Sequence, residues 1–473
     1  VPPSELIQAT ACELVGRLRS GDVTPHDLLD ALEARIAEVD GKVNALPTLC
    51  FDRAHAHADR LMKLPMDQRG SLAGVPVPIK DLTDVAGVLT TQGSPIFKND
   101  IAERSNVVVE HLEANGGIVY AKSNTPEFGA GAQTFNEVFG ATRNPWNLSR
   151  SAAGSSGGAA AALASGAAWL AHGTDVGGSL RNPASFCGVV GIRPSIGRVA
   201  HTPTGMVDRT LSADGPMARN VEDLALLLDA MSGEDARDPL SLPALPASFL
   251  SAARSGAKPK RVAYSSDLGI SPVDPEIADI TRKAAQRFSE IGVIVEEAHP
   301  DLREAAECAH VLRAFDYAVT KSKLLRQHRD QLKPEVIWNI DEGLKLGMDD
   351  IERAEAQRVA MTARAYSFFQ TYDLLLCPTT IVAAFPVEQR YLAECNGQTF
   401  GNYVEWLTIV SAITMICSPA LSIPCGFTRE GLPVGLQIVA APRGEARILA
   451  AGKLLEDMFG LRNRTPIDPR PGV

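Results

Sequence analysis

Residues 154–181 read GSSGGAAAALASGAAWLAHGTDVGGSLR, a stretch that opens and closes on glycine with serine embedded in it. Gly154-Ser155-Ser156-Gly157-Gly158 begins it, an Ala-rich run follows, and Gly173-Thr174-Asp175-Val176-Gly177-Gly178-Ser179-Leu180-Arg181 ends it. Glycine lets backbone come close to a ligand and visit positive φ at an entropic cost, so such clusters mark constrained loops or a site. Gly158 to Ser165 reads as a helix and the region around Trp169 to His172 as a strand.

Outward from this stretch the chain keeps alternating. Upstream, Ser4 to Arg19 and Pro25 to Val39 carry apolar residues at helical spacing, the second with Thr24 as N-cap and Pro25 in the first helical position. A third helix, Phe51 to Leu64, carries His55 and His57, which point to different faces and make a poor metal pair. The apolar strand Val75 to Ile79 ends on Lys80, and helix Asn106 to Ala114 and strand Ile118 to Ala121 follow. Downstream come strand Val189 to Ile192, helix Val221 to Met231, a Pro- and Ser-rich connection from Gly233 to Lys260, and strand Arg261 to Tyr264. A largely helical block occupies Pro275 to Tyr372. The C-terminal part returns to strands at Leu374 to Cys377, Ala420 to Pro424 and Val434 to Val439, with helices Tyr403 to Ile413 and Ala446 to Met458. This interleaving predicts an α/β fold: a large mixed β-sheet covered by helices on both faces.

Composition narrows the function. The 473 residues are 45% hydrophobic, enough for a large core, and the formal net charge is −10. With no basic excess, binding nucleic acid by neutralising phosphates is disfavoured. The eight cysteines include no C-x-x-C pair, so they read as small buried hydrophobes in a reduced, cytoplasmic setting. VPPSELIQAT lacks a basic region followed by an apolar one, and no window approaches about 18 uninterrupted apolar residues, so no membrane attachment is expected.

The glycine and serine clusters lack the lysine of a P-loop and the spacing of a dinucleotide fingerprint. Phosphate held by bare backbone N–H groups, in a non-enzymatic nucleotide-binding protein, is a remote alternative. Hydrolysis uses more of the residues. Around Val176-Gly177-Gly178-Ser179, N–H groups unshielded by side chains can converge beside a serine hydroxyl, as an oxyanion hole requires. Ser179 is then the natural nucleophile and needs a base. His172 and His201 are candidates, though neither sits in a G-x-S-x-G elbow. Lys80 is another, because burial at the end of an apolar strand would leave part of its population neutral. Ser155 could relay a proton between them, or N-cap the Ala-rich helix.

Taken together, Gly74-Val75-Pro76-Val77-Pro78-Ile79-Lys80-Asp81, Gly154 to Gly158, and Gly173 to Ala184 resemble the amidase signature family. Lys122 to Glu127, Cys187 to Gly191 and Gly431 to Gln437 support the likeness, which runs in consistent order from about residue 5 to 458. The resemblance implies Ser179 as nucleophile, Ser155 as bridging serine on a cis peptide bond, and Lys80 as base. It also implies Val176, Gly177 and Gly178 as oxyanion donors, Asp175, Arg181 and Ser156 as support for the loops, and Gly129, Ala130 and Gly131 as the acyl pocket. One departure is Arg193, where the family commonly has lysine; it does not touch the triad.

The implied organisation is one domain over 1–473, with an N-terminal helical part at 1–64, a catalytic core at 65–232 and a mainly helical cap at 275–372. The cap and the region around Phe385 to Trp406 are expected to shape the pocket. The implied activity is hydrolysis of a small-molecule carboxylic amide, or of an acyl hydrazide, through an acyl-enzyme with no metal or organic cofactor. The alternative within the family is an amidotransferase A-type subunit that supplies glutamine-derived ammonia to a tRNA-dependent partner. A homodimer is the assembly the resemblance implies.

Overall fold

The computed structural model describes residues 2–208 and 210–472. Its centre is an eight-stranded sheet in the order Ile294–Glu297, Arg261–Tyr264, Leu374–Pro378, Pro433–Val439, Ala420–Phe427, Val190–Arg193, Ala213–Ala218 and Leu170–Asp175. The first three strands run parallel, and every later pairing is antiparallel. Alternate residues point to opposite faces of a strand. Accordingly Leu374, Leu376, Leu421, Ile423, Leu436 and Ile438 enter one apolar cluster, while Leu375, Cys377, Ala420, Val434 and Val439 enter another. The first cluster is closed by helices Val221–Met231 and Glu445–Phe459, the second by helices Pro275–Gln286, Ala305–His328 and Thr408–Met415. Helices therefore cover both faces of the mixed sheet, as the alternation in the sequence predicts.

Beside this sheet lies a smaller one, in which Pro76–Lys80 runs parallel to Ile118–Ser123 and Thr48–Leu49 pairs with the latter antiparallel. Between them runs the Ala-rich helix Gly157–Ser165, every residue of which is buried. Only small side chains permit that path: a Cβ on Gly158 would lie 2.3 Å from the backbone nitrogen of Asn124.

Three expectations change. The helix read across Ser4 to Arg19 is two, Pro3–Gln8 and Ala11–Ser20. Thr10 interrupts it with a capping box: its hydroxyl accepts from Glu13 N–H at 3.1 Å, and the Glu13 carboxylate accepts from Thr10 N–H at 2.7 Å. The strand Ala213–Ala218 is not expected from the sequence, because Gly215 and Pro216 interrupt the β-forming pattern. It tolerates proline because pairing with Val190–Arg193 begins only at Met217. The helix read from Tyr403 is a 3₁₀ turn at Glu405–Leu407 followed by an α-helix from Thr408.

The helix Pro25–Val43 follows its start signals: Thr24 Oγ1 accepts from Asp27 N–H at 3.2 Å and Asp27 accepts in return from Thr24 N–H at 2.7 Å. Replacing Thr24 by Ala is expected to lower unfolding free energy by about 1 kcal/mol, read from the urea midpoint at constant m-value.

Candidate active site

The strand Pro76–Lys80 ends by pushing its lysine into the interior, where the residue is 0% exposed. Its ammonium nitrogen lies 2.7 Å from Ser155 Oγ, 2.9 Å from Ser156 Oγ and 2.9 Å from Thr174 Oγ1. A hydroxyl both donates and accepts, so this cage suits the amine in either protonation state. Burial lowers the Lys80 pKa to about 7, although the charges of Asp175 and Asp214 pull the other way. Near neutral pH part of the population is therefore a free amine.

The peptide bond Gly154–Ser155 is cis. Ser155 does not cap the Ala-rich helix: the N-cap position falls on Ser156, whose side chain makes no capping bond and instead meets Lys80 and the Thr174 N–H. Ser156 N–H also donates to the carbonyl of Ser179 at 3.2 Å, which ties the first glycine cluster to the second.

The second cluster hangs on Asp175, at the end of the edge strand Leu170–Asp175. Its carboxylate accepts from the N–H groups of Gly178 (2.9 Å) and Leu180 (3.1 Å) and from Arg181 Nε and Nη2 (3.0 and 2.9 Å). Arg193 donates to the Asp175 carbonyl and lies 3.5 Å from its carboxylate. Burial raises the pKa of such a group, but the two guanidiniums and the Leu180 N–H more than offset it and hold Asp175 well below the usual carboxylate range. Gly178 turns the loop at φ +91°, a conformation glycine adopts without strain. Its N–H is given to Asp175, whereas among the described residues no hydrogen bond engages the N–H groups of Val176 and Gly177, the other two expected as oxyanion donors. Arg193 thus reaches the site through Asp175, a role that the comparison with lysine at this position does not suggest.

Ser155, Thr174, Val176 and Ser179 share one cavity of about 260 Å³ with Leu82, Phe128 and Gly129. The opposite wall is one side of the helix Ala305–His328, namely Arg313, Asp316, Tyr317 and Lys321. Of the three residues expected in the acyl pocket only Gly129 lines it. Ala130 packs instead in a small cluster with Phe128, Tyr317 and Val336, and Gly131 lies beside Lys333. Phe385 and Trp406, expected near the pocket, are buried against Phe186 in ring contacts at 5.7 and 6.4 Å between centroids. Thr174, inside the second glycine cluster, joins the cage around the lysine, a role that its residue type alone does not signal. The helical wall carries no motif, and only the fold brings it to the serines.

Two other candidates also find places. His172 is fully buried, accepts from the Lys80 backbone N–H at 3.3 Å and donates through Nε2 to Asp214 at 2.8 Å. His201 lies on the cavity wall, 3.4 Å from the other Asp214 oxygen. Among the described residues no helix is long and apolar enough to cross a membrane, and all eight cysteines are unpaired.

Known proteins agree with this architecture. The family model described as Amidase matches residues 27–449, and the chain belongs to that family of amidase signature enzymes: it is a hydrolase acting on carbon–nitrogen bonds. It is 35% identical to an acylamidase of Rhodococcus erythropolis, covering 97% of each chain. Its identity to the A-type subunit of the glutamyl-tRNA(Gln) amidotransferase from Moorella thermoacetica is 34%, covering 98% of this chain and 99% of that one. Among solved structures, a bacterial aryl acylamidase of the amidase signature family superposes with a TM-score of 0.89 at 27% identity, over 97% of this chain and 99% of that one.

If Asp175 anchors the loop, Asp175→Asn leaves two buried guanidiniums short of their counter-charge. Chemical denaturation should then show a loss of about 3–5 kcal/mol. A variant as stable as the parent would contradict the anchoring role.

Proposed function

We propose that this chain is a stand-alone amidohydrolase that cleaves the C–N bond of a small-molecule carboxylic amide, or of an acyl hydrazide, through an acyl-enzyme on Ser179. The observation that carries the reading is the buried Lys80 ammonium 2.7 Å from Ser155 Oγ, on a cavity that Ser155 shares with Ser179. In the neutral form Lys80 takes a proton from Ser155 as Ser155 takes the proton of Ser179. The Ser179 oxygen then attacks the carbonyl carbon, and the oxygen that becomes negative is received by the N–H groups of Val176 and Gly177. Each such donor is worth about 3 kcal/mol in the transition state. Gly178 acts by shaping the loop through its bond to Asp175. The proton returns along Ser155 to the leaving nitrogen, the C–N bond breaks, and water, deprotonated by the same relay, releases the acid.

Likeness to the acylamidase and to the aryl acylamidase structure supports independent hydrolysis of acyl amides. The amidotransferase relatives, nearly as similar, support the second reading: an ammonia-supplying subunit that works on glutamine with a partner. The purified chain separates them. Under the first reading it turns over simple amides, anilides or hydrazides alone; under the second it favours glutamine and needs a partner.

Ser179→Ala and Lys80→Met are each expected to lower kcat/KM on the best substrate by at least about 10³-fold, with unfolding midpoints close to the parent's. Because only the free amine accepts a proton, kcat/KM of the parent should rise with pH through about 7, the value to which burial lowers Lys80. Full activity in Ser179→Ala, or a rate independent of pH between about 5.5 and 8, would contradict the mechanism.

A further inference from the structure

We infer that Asp214, held behind Lys80 by His172, is a positioning residue that sets the pH at which the lysine becomes a base; the inference rests on the reading of Lys80 as that base. Lys80 N–H donates to His172 Nδ1, which makes that nitrogen the acceptor, so in the neutral ring the proton sits on Nε2 and is given to Asp214 Oδ1. His172 therefore links the backbone of the lysine to a carboxylate on the next strand. The register is regular: His172 stands opposite Pro216, with Asp214 opposite Thr174, whose hydroxyl touches Lys80 Nζ. Asp214 also lines the cavity that holds Ser155 and Ser179.

Two carboxylates, Asp175 and then Asp214, act on Lys80, and their partners differ. Arg181 and Arg193 pair with Asp175. On the adjoining strand Lys122 and Asp81 pair with each other at 3.1 Å. Asp84, Arg313, Asp316 and Lys321 stand on the far walls of the cavity, with both signs represented. Among the described residues the partners of Asp214 are His172, hydrogen-bonded at 2.8 Å, and the wall residue His201, 3.4 Å away, and the two keep it ionised despite burial. A carboxylate in this place favours the ammonium form of Lys80. It thereby restrains the effect of burial.

The test is the pH dependence of Ser179 labelling by a serine-directed fluorophosphonate, which avoids ionisation of a substrate. Asparagine at 214 keeps an acceptor for His172 Nε2 and removes the charge. In Asp214→Asn the acid limb should move to lower pH by about one unit, so that labelling near pH 5.5 is severalfold faster than in the parent. Asp214→Ser, smaller and likewise uncharged, should move the limb the same way, and it carries the test should Asp214→Asn fail to fold. Limbs of both variants within about 0.2 unit of the parent's would overturn the inference, provided that Lys80→Met is inert to the reagent. Labelling of Lys80→Met at the parent's rate would instead remove the reading of Lys80 on which it rests. A purely packing role for Asp214 would change stability and leave the limb in place.

Discussion

Asp175 is a carboxylate with no exposed surface that accepts from two backbone N–H groups and two side-chain nitrogens of Arg181, with Arg193 close behind. Burying one such charge alone would be prohibitive, and burying it between two guanidiniums is tolerable only when every lone pair is used. That requirement fixes the backbone from residue 175 to 181. The N–H groups of Val176 and Gly177 and the Ser179 hydroxyl take their positions from it. Arg181 extends the anchor to the helix Thr408–Met415 and the central strand Pro433–Val439, donating to the Val410 carbonyl and the Gln437 side chain. The loop is thus tied to a helix and a strand more than two hundred residues away.

Lys80 is treated in the opposite way. Among the described residues no carboxylate touches its nitrogen; three hydroxyl groups do. Pairing would have kept the ammonium charged, whereas burial among neutral partners brings the amine into the range of physiological pH. Two charged groups close to Ser155 and Ser179 therefore have contrasting surroundings, one paired with guanidiniums and one kept away from a direct counter-ion, as the proposed proton transfer requires.

Much of this was legible in the sequence because the chemistry lies in short runs of small residues. Gly154 to Gly158 and Val176 to Ser179 stand out by composition, Lys80 is singled out by the likeness to the amidase signature family, and the alternation of periods announces the mixed sheet. What stayed hidden depends on distant pairing. Asp214 lies in Ala213–Ala218, a strand whose Gly-Pro pair masks it, so its meeting with His172 could not be read. Arg313 and Tyr317 sit on a helix whose wide mix of apolar and charged residues points to no site, and its approach to the cavity is a property of the fold alone. Phe385 and Trp406, which bound a region expected to shape the pocket, themselves pack in the core against each other and Phe186. Thr10 shows the local version, in which a four-residue capping box outweighs a continuous helical pattern.

In the proposed mechanism acyl transfer passes through the Ser179 oxygen. Rapid acid quenching of the enzyme during turnover of an amide, followed by peptide mass spectrometry, tests it most directly. An added acyl mass is expected on the peptide that holds Ser179, appearing within the first turnover and decaying as substrate is exhausted. Turnover with no adduct on any peptide under conditions where hydrolysis of the acyl-enzyme is rate-limiting, or an adduct on a different residue, would contradict it.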